Sequence, residues 1–380
     1  MKSRITKIVL AVFRWLPLPK PILFESVPVY ADNTRAVCDE MIARGLHKKY
    51  KFFWSCSENA EIPGGIAHIK FIRNNGGGFW ARIQRAYVYN TAKAIISCNA
   101  VIPRYQEGQY VICLNHGAPL KSVKGHYAFP KELDDVLTLS SYLAPIEADI
   151  VACDLAKMKV LGFPRNDILF HSTLDSHSLF PTADFRKLIY WMPTFRQHGK
   201  GTLSLSDIAM PIIYNEKIAM QINEAAKQAG VLVVVKPHFA QDVSRITVMN
   251  LSNLVFINDK FLADQHVTNY ELLGKADALL TDYSSVYYDY LLIDRPIGLC
   301  WDDYDVFKER EGFAVDMDKV MAAGEKIYTA DDLCGFIAAL AAGEDRLAEQ
   351  RKQVIDLIHD YQDDRATQRT VDLIERKLSQ

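Results

Sequence analysis

The chain has no Cys-x-x-Cys pair, no apolar run long enough to cross a bilayer, no net excess of either charge, and no evident acidic pair or cluster of metal ligands. Each absence removes a class of protein. Seven cysteines (Cys38, Cys56, Cys98, Cys113, Cys153, Cys300, Cys334) are scattered, odd in number and mostly set in apolar runs. That pattern disfavours a disulfide framework or a cysteine-rich zinc site and fits reduced thiols in a cytosolic protein. Lysine and arginine total 44 against 46 acidic residues, a formal charge of −2. Nucleic acid is therefore not an expected partner, and any polyanion site must be local. No repeat or low-complexity tract interrupts the chain. What is present is 380 residues, 49% of them hydrophobic and 24% charged, enough for two domains with a core each.

Before the first acid, Glu25, the chain carries Lys2, Arg4, Lys7, Arg14 and Lys20 around the apolar run Ile8 to Phe13. A spanning helix needs about 20 apolar residues, and this run is also short for the core of a signal peptide. At helical spacing Ile5, Ile8, Val9, Val12 and Leu16 share one face, with Arg4, Lys7 and Arg14 opposite. Residues 1–20 thus suit a helix lying on an anionic membrane surface, and equally a terminal helix docked on the protein.

Beyond it, short β-rich apolar runs alternate with helical or loop segments, the pattern of parallel sheets with crossover helices. Strands are expected at residues 22–25, 51–55, 66–72, 94–98 and 110–114. A second series is expected at 188–192, 231–235, 254–257, 278–280 and 297–300. The turn-rich stretch Gly162 to Asp167 is the natural joint, dividing a domain over 21–167 from one over 168–380 with a helical tail. Parallel sheets bind ligands beyond the carboxyl ends of their strands, which makes the interdomain cleft the expected site.

Several constellations stand at strand ends. The run from Tyr110 ends in Asn115, His116, Gly117, Ala118, Pro119, Leu120 and Lys121, which displays a histidine at a domain edge. Histidine is suited to proton transfer near neutral pH, although a structural histidine fits that setting as well. The run Val231 to Val235 enters Lys236-Pro237-His238, a cation beside a second histidine that could hold phosphate. Leu188 to Met192 ends in Pro193-Thr194-Phe195-Arg196, and arginine's planar fork suits phosphate. Ala278 to Leu280 passes through Thr281, Asp282, Tyr283, Ser284 and Ser285 toward Asp289. Here a helix N-terminus with two serine hydroxyls would attract an anion, while simple capping by Asp282 or Ser284 is the plainer alternative.

Taken together, these residues resemble the CDP-glycerol glycerophosphotransferases. Asn115 to Lys121 resembles that family's HGTPLK-type motif, Gly162 to Asp167 its GxPRND joint, and Pro193 to Arg196 its PTFR motif. Lys236-Pro237-His238, Thr281 to Ser285 with Asp289, and Arg295-Pro296 complete the set, and Ile22 to Ser26, Asp32-Asn33 and Tyr50 to Trp54 follow its opening pattern. The resemblance implies an α/β, glycosyltransferase-B-like architecture of two Rossmann-like domains, the acceptor domain first and the CDP-donor domain second. It implies transfer of glycerol phosphate from CDP-glycerol to a hydroxyl of a lipid-linked saccharide or polymer, with release of CMP, in building teichoic acid, capsule or O-antigen-type polymers. The acceptor would be carried on a polyprenyl diphosphate, and the enzyme would sit peripherally on the cytoplasmic face of the membrane. Lys70, Arg73, Arg82, Arg85 and Lys93 could extend the membrane-facing surface, or form an ordinary solvated face.

By the same resemblance His116 is the general base, with His238 the second catalytic histidine. Arg196, His238, Ser284 and Ser285 would hold the diphosphate, with Pro193, Thr194, Lys236, Thr281, Asp282 and Asp289 around the donor. Asn115, Gly117 and Lys121 would lie on the acceptor side. Asn115 stands where the family usually has Trp, and Ala118 where it usually has Thr, which bears on the acceptor more than on the chemistry. No metal or other cofactor is expected to be essential, leaving room for Mg²⁺ carried by the nucleotide. A CDP-ribitol transferase, a sugar-nucleotide glycosyltransferase and a non-catalytic nucleotide-binding scaffold are the alternatives.

Overall fold

The computed structural model describes residues 20–99, 101–122, 129–194, 210–237 and 249–380. The basic segment expected over residues 1–20 lies outside them apart from Lys20, as do Arg196 and His238.

The first sheet contains β1 (Pro21–Glu25), β2 (Lys51–Cys56), β3 (Ile69–Arg73), β4 (Ala94–Ser97), β5 (Tyr110–Cys113), β6 (Asp135–Thr138) and β7 (Met158–Val160). Their spatial order is β3-β2-β1-β4-β5-β6-β7, every pair parallel. β1, β4, β5 and β6 are buried along their whole length, so the first three read as mainly apolar runs rather than as alternating ones, while β6 buries Asp135 and Thr138 as well. Leu23 on β1 sits opposite Phe53 on β2 and Ile95 on β4, and all three join one core cluster with Val111, Cys113 and Val136. Around this sheet run α1 (Asp32–Ala43), α2 (Phe79–Thr91) and α3 (Leu143–Ile150). α1 turns Val37, Cys38 and Met41 inward.

The second sheet contains β8 (Lys187–Trp191), β9 (Val231–Val235), β10 (Leu254–Phe256), β11 (Ala278–Thr281), β12 (Ile297–Cys300) and β13 (Glu325–Ile327). Its order is β10-β9-β8-β11-β12-β13, again parallel throughout. Its helices include α4 (Glu216–Ala229), α5 (Asn269–Lys275), α6 (Val286–Leu291), α7 (Ala330–Ala342) and α8 (Ala348–Ile358). α4 shows how local chemistry sets their ends: Asn215 accepts the Ile218 N–H at 3.1 Å, and Gly230 closes the helix at φ 64.

In both sheets the chain starts in the middle, winds outward through three strands, then returns to wind the other way. This is the doubly wound Rossmann order, with switch points between β1 and β4 and between β8 and β11. All ten expected strands are present. The sheets gain β6, β7 and β13, which the sequence reading does not contain.

The chain divides into two compact units. The first gathers described residues of Met1–Ala118, Lys124–Asp167 and Asp363–Gln380, and the second those of Pro119–Val123 and Ile168–Gln362. The units divide at Asp167 and Ile168, where the sequence places the joint, but two segments on either side of it belong to the opposite unit. The last helix, α9 (Ala366–Ser379), packs with the first unit, where Asp167 accepts the N–H groups of Ala366 and Thr367 at 3.1 and 2.8 Å. Pro119–Val123 belongs with the second unit, where Lys121 forms a β-bridge to Phe313. All seven cysteines are free thiols.

Candidate active site

In the first unit, the segments leaving β1, β4 and β5 at their carboxyl ends carry Asp32 and Asn33, Cys98, and Asn115 and His116. Asn33 is fully buried. Its Nδ2 donates to the carbonyls of Leu114 (3.2 Å) and Asn115 (2.8 Å), and its Oδ1 accepts the Arg165 N–H at 2.9 Å. The Arg165 guanidinium donates to Asp32 Oδ1 (2.8 Å) and to the His116 carbonyl (2.7 Å). Asn115 has φ 60, the left-handed region that asparagine tolerates better than most residues. Its Oδ1 accepts the His116 N–H at 2.9 Å, and its Nδ2 donates to Glu147 Oε1. The main chain of His116 is thus held at both N–H and carbonyl, while the residue itself is exposed.

Surrounding protein lowers the His116 pKa from 6.5, and the Arg165 guanidinium adds to the lowering; Asp32 and the Cys98 main chain oppose it. Both leading causes disfavour the imidazolium, and solvent at the exposed ring limits their reach. A neutral imidazole at pH 7 can accept a proton. Glu147, on α3, is 3% exposed, and burial pushes its carboxyl up to about 8. Thr138 pulls the other way, although neither its hydroxyl nor Glu147 Oε2 makes a hydrogen bond of good geometry.

In the second unit, the loops leaving β8 and β11 flank the switch point. Thr194 donates both its N–H and its hydroxyl to the Asp282 carboxylate, each at 3.0 Å, and Tyr283 N–H donates to Asp282 Oδ1 at 2.6 Å. Thr281 donates its hydroxyl to the Met192 carbonyl at 2.9 Å. Tyr283 stacks on Phe307 with centroids 4.0 Å apart and donates its hydroxyl to Asp303 at 2.9 Å. Thr281, Asp282 and Tyr283 are all 0% exposed, whereas Ser284 and Ser285 are half-buried. Within this motif the first three residues anchor two loops to each other, and the two serines are the more exposed groups, Ser284 Oγ lying 3.5 Å from the Val286 N–H that it accepts.

Some expectations change accordingly. Thr281 is an anchor. Asp289, expected around the donor, is 1% exposed and accepts the Tyr270 hydroxyl at 2.6 Å, which ties α6 to α5. α6 has only six residues, which leaves little macrodipole behind Ser284 and Ser285. Lys236 forms an ion pair with Asp259 at 2.8 Å, and Lys121 places its ammonium 5.3 Å from the Phe307 ring centroid. Pro193 and Gly117 stand on the loops where the sequence places them. Arg73 donates to the carbonyls of Ser57 and Ala60, and Arg85 to those of Arg73 and Gly76, so both guanidinium groups are tied to the main chain while remaining partly exposed. The sequence reading missed Glu147 and gave Asn33 and Arg165 no individual role. Leu143, Glu147 and Ile150 share helical spacing, a signal that placed the carboxyl on an apolar face.

The chain is 24% identical to the teichoic acid poly(glycerol phosphate) polymerase of Staphylococcus epidermidis, in an alignment of 408 positions covering 95% of this chain and 51% of that protein. It is 28% identical over 163 residues to the teichoic acid ribitol-phosphate primase of Bacillus spizizenii, covering 40% of this chain and 37% of that one. It therefore spans about half the length of the first of these relatives. Among solved structures, a variant of the wall teichoic acid polymerase TagF soaked with CDPG matches with a TM-score of 0.71 at 21% identity, covering 98% of this chain and 94% of the other. That likeness supports the fold, which is α/β and glycosyltransferase-B-like with two Rossmann-like units. Residues 8–376 match the family model of the CDP-glycerol:poly(glycerophosphate) glycerophosphotransferases, and the chain belongs to that family.

Proposed function

We propose that the protein transfers glycerol phosphate from CDP-glycerol to a hydroxyl of a polyprenyl-diphosphate-linked saccharide or polymer in cell-surface polymer synthesis. The acceptor oxygen attacks the β-phosphorus, which carries the glycerol. A new O–P bond forms, the anhydride bond to CMP breaks, and the hydroxyl proton passes to His116. Such transfer depends on positioning and on neutralising phosphate charge, tasks that fall to Ser284 and Ser285 together with Arg196 and His238. The observation that carries this assignment is His116 itself: an exposed histidine whose surroundings favour the neutral ring, on a main chain clamped at both ends.

The likeness to a ribitol-phosphate primase supports CDP-ribitol as the second donor to test. Incubating the protein with radiolabelled CDP-glycerol or CDP-ribitol and a lipid-linked saccharide should release CMP and label the lipid. His116→Ala should lower that rate about 10³-fold, the middle of the range for loss of a general base, with donor binding retained. A folded His116→Ala protein with near-normal kcat would remove His116 from the chemistry.

The protein would work at the cytoplasmic face of the membrane, held peripherally. Among the described residues, no helix is long and apolar enough to cross a bilayer. At the head of α2, Phe79 and Trp80 are 70% and 78% exposed, and Lys70 and Arg82 are exposed nearby in sequence. Exposed aromatics with basic neighbours suit an anionic lipid interface. A Phe79→Ser/Trp80→Ser variant should sediment less with phosphatidylglycerol vesicles than the parent does. Equal sedimentation would exclude this patch.

A further inference from the structure

The group least explained by packing is the Glu147 carboxyl. α3 otherwise turns Leu143, Ala144, Ala148 and Ile150 inward, and a carboxyl placed on such a face is costly unless it serves a partner. Its Oε1 accepts from Asn115 Nδ2, and its Oε2 has no hydrogen-bond partner. The remaining polar atom of the Asn115 side chain, Oδ1, accepts the N–H of His116 at 2.9 Å. An amide can sit in either of two orientations related by a flip, since its oxygen only accepts and its nitrogen only donates. An acceptor at one end and an N–H at the other leave one.

We infer that Glu147 is a positioning residue for His116: it holds the Asn115 amide in the orientation that accepts the His116 N–H, and thereby sets the direction in which the imidazole is presented. This rests on the assignment of His116 as the base. Asn33 and Arg165 already fix the carbonyls of Asn115 and His116, at 2.8 and 2.7 Å, so loss of Glu147 should disturb the aim of the ring more than the fold of the loop. Burial keeps the carboxyl largely protonated at neutral pH, so the function asked of Oε1 is that of a neutral acceptor. Glutamine supplies the same atom in the same place.

Three variants test this. Glu147→Leu should lower kcat at least about tenfold, approaching the roughly 10²-fold that a displacement of about 1 Å can cost, with an unchanged donor KM. Glu147→Gln should stay within about twofold of the parent, because its amide oxygen is also an acceptor. Asn115→Gly suits the backbone at φ 60 and removes the intermediary. If Glu147 acts through Asn115, the Glu147→Leu/Asn115→Gly double variant should be no slower than Asn115→Gly alone. Losses that multiply, or a glutamine variant as slow as the leucine one, would overturn the inference.

The His116 imidazole resonances give a reading independent of turnover and of the leucine variant's folding. Asn115→Gly should shift them, and Glu147→Gln should leave them in place. Resonances unmoved by Asn115→Gly would overturn the positioning role. A parent protein that transfers neither polyol phosphate, yet shows these shifts, would overturn the assigned reaction and leave the positioning intact.

Discussion

His116 shows most plainly how an environment prepares one side chain. A base must be unprotonated to work, so activity rises as pH climbs through its pKa and is lost below it. Crowding by protein and the Arg165 guanidinium both push that pKa down from 6.5. The acid limb of kcat/KM should therefore fall below pH 6.5, and Arg165→Met should move it upward by removing one of the two depressing influences. An acid limb above pH 7 in the parent would contradict this sign. His116 was legible in the sequence because a buried apolar run breaks there into turn residues. Its supports were not: Asn33 and Arg165 lie 132 positions apart, and Glu147 lies 32 from Asn115. Helical spacing puts Glu147 on an apolar face, but nothing local in the sequence says which residue each of these side chains holds.

At the scale of the element, most strands found by reading are runs of Val, Ile, Leu and aromatic residues, such as Val231–Val235 and Pro21–Glu25. The strands missed are short and interrupted by polar residues: β6 is Asp-Val-Leu-Thr, β7 has three residues and includes Lys159, and β13 is Glu-Lys-Ile. Their place comes from neighbours in the sheet rather than from their own composition. The strand-to-helix passage after β11 was legible as a site, but its division of labour was not. Position along the turn decides which hydroxyl faces inward: Thr281 is fully buried, whereas Ser284 and Ser285 are half-buried. Ser284→Ala/Ser285→Ala should raise the donor KM about tenfold or more, as expected when charge-assisted hydrogen bonds to phosphate are removed. Thr281→Val should lower stability while leaving donor KM near the parent value. The opposite ranking, read by initial rates beside urea unfolding, would put Thr281 at the ligand.

At the scale of the whole molecule, the chain's last helix serves its first unit, a return that its polar, charged sequence does not reveal. Three kinds of contact hold α9 there, and their magnitudes rank them. Arg44 reaches Asp372 at 2.5 Å and Glu375 at 2.8 Å, but those acids are 54% and 37% exposed, and surface pairs are worth about 0–1 kcal/mol. Asp167 accepts the first N–H groups of the helix, standing in for the cap that Arg365 does not supply, a contact worth about 1 kcal/mol. Val371 and Ile374 are fully buried, and truncating a buried isoleucine costs about 2–5 kcal/mol. Gly162, at φ 78, lies where an added Cβ would come within 3.3 Å of the Ala366 Cβ, so the joint and the helix start were shaped together. Unfolding of the first unit, followed by amide exchange across Ala366–Ser379, should thus weaken most in Ile374→Ala, less in Asp167→Ala and least in Arg44→Ala. If Arg44→Ala proved the most damaging, the helix would be held by its charges, and its release would then depend steeply on salt, which apolar docking does not allow.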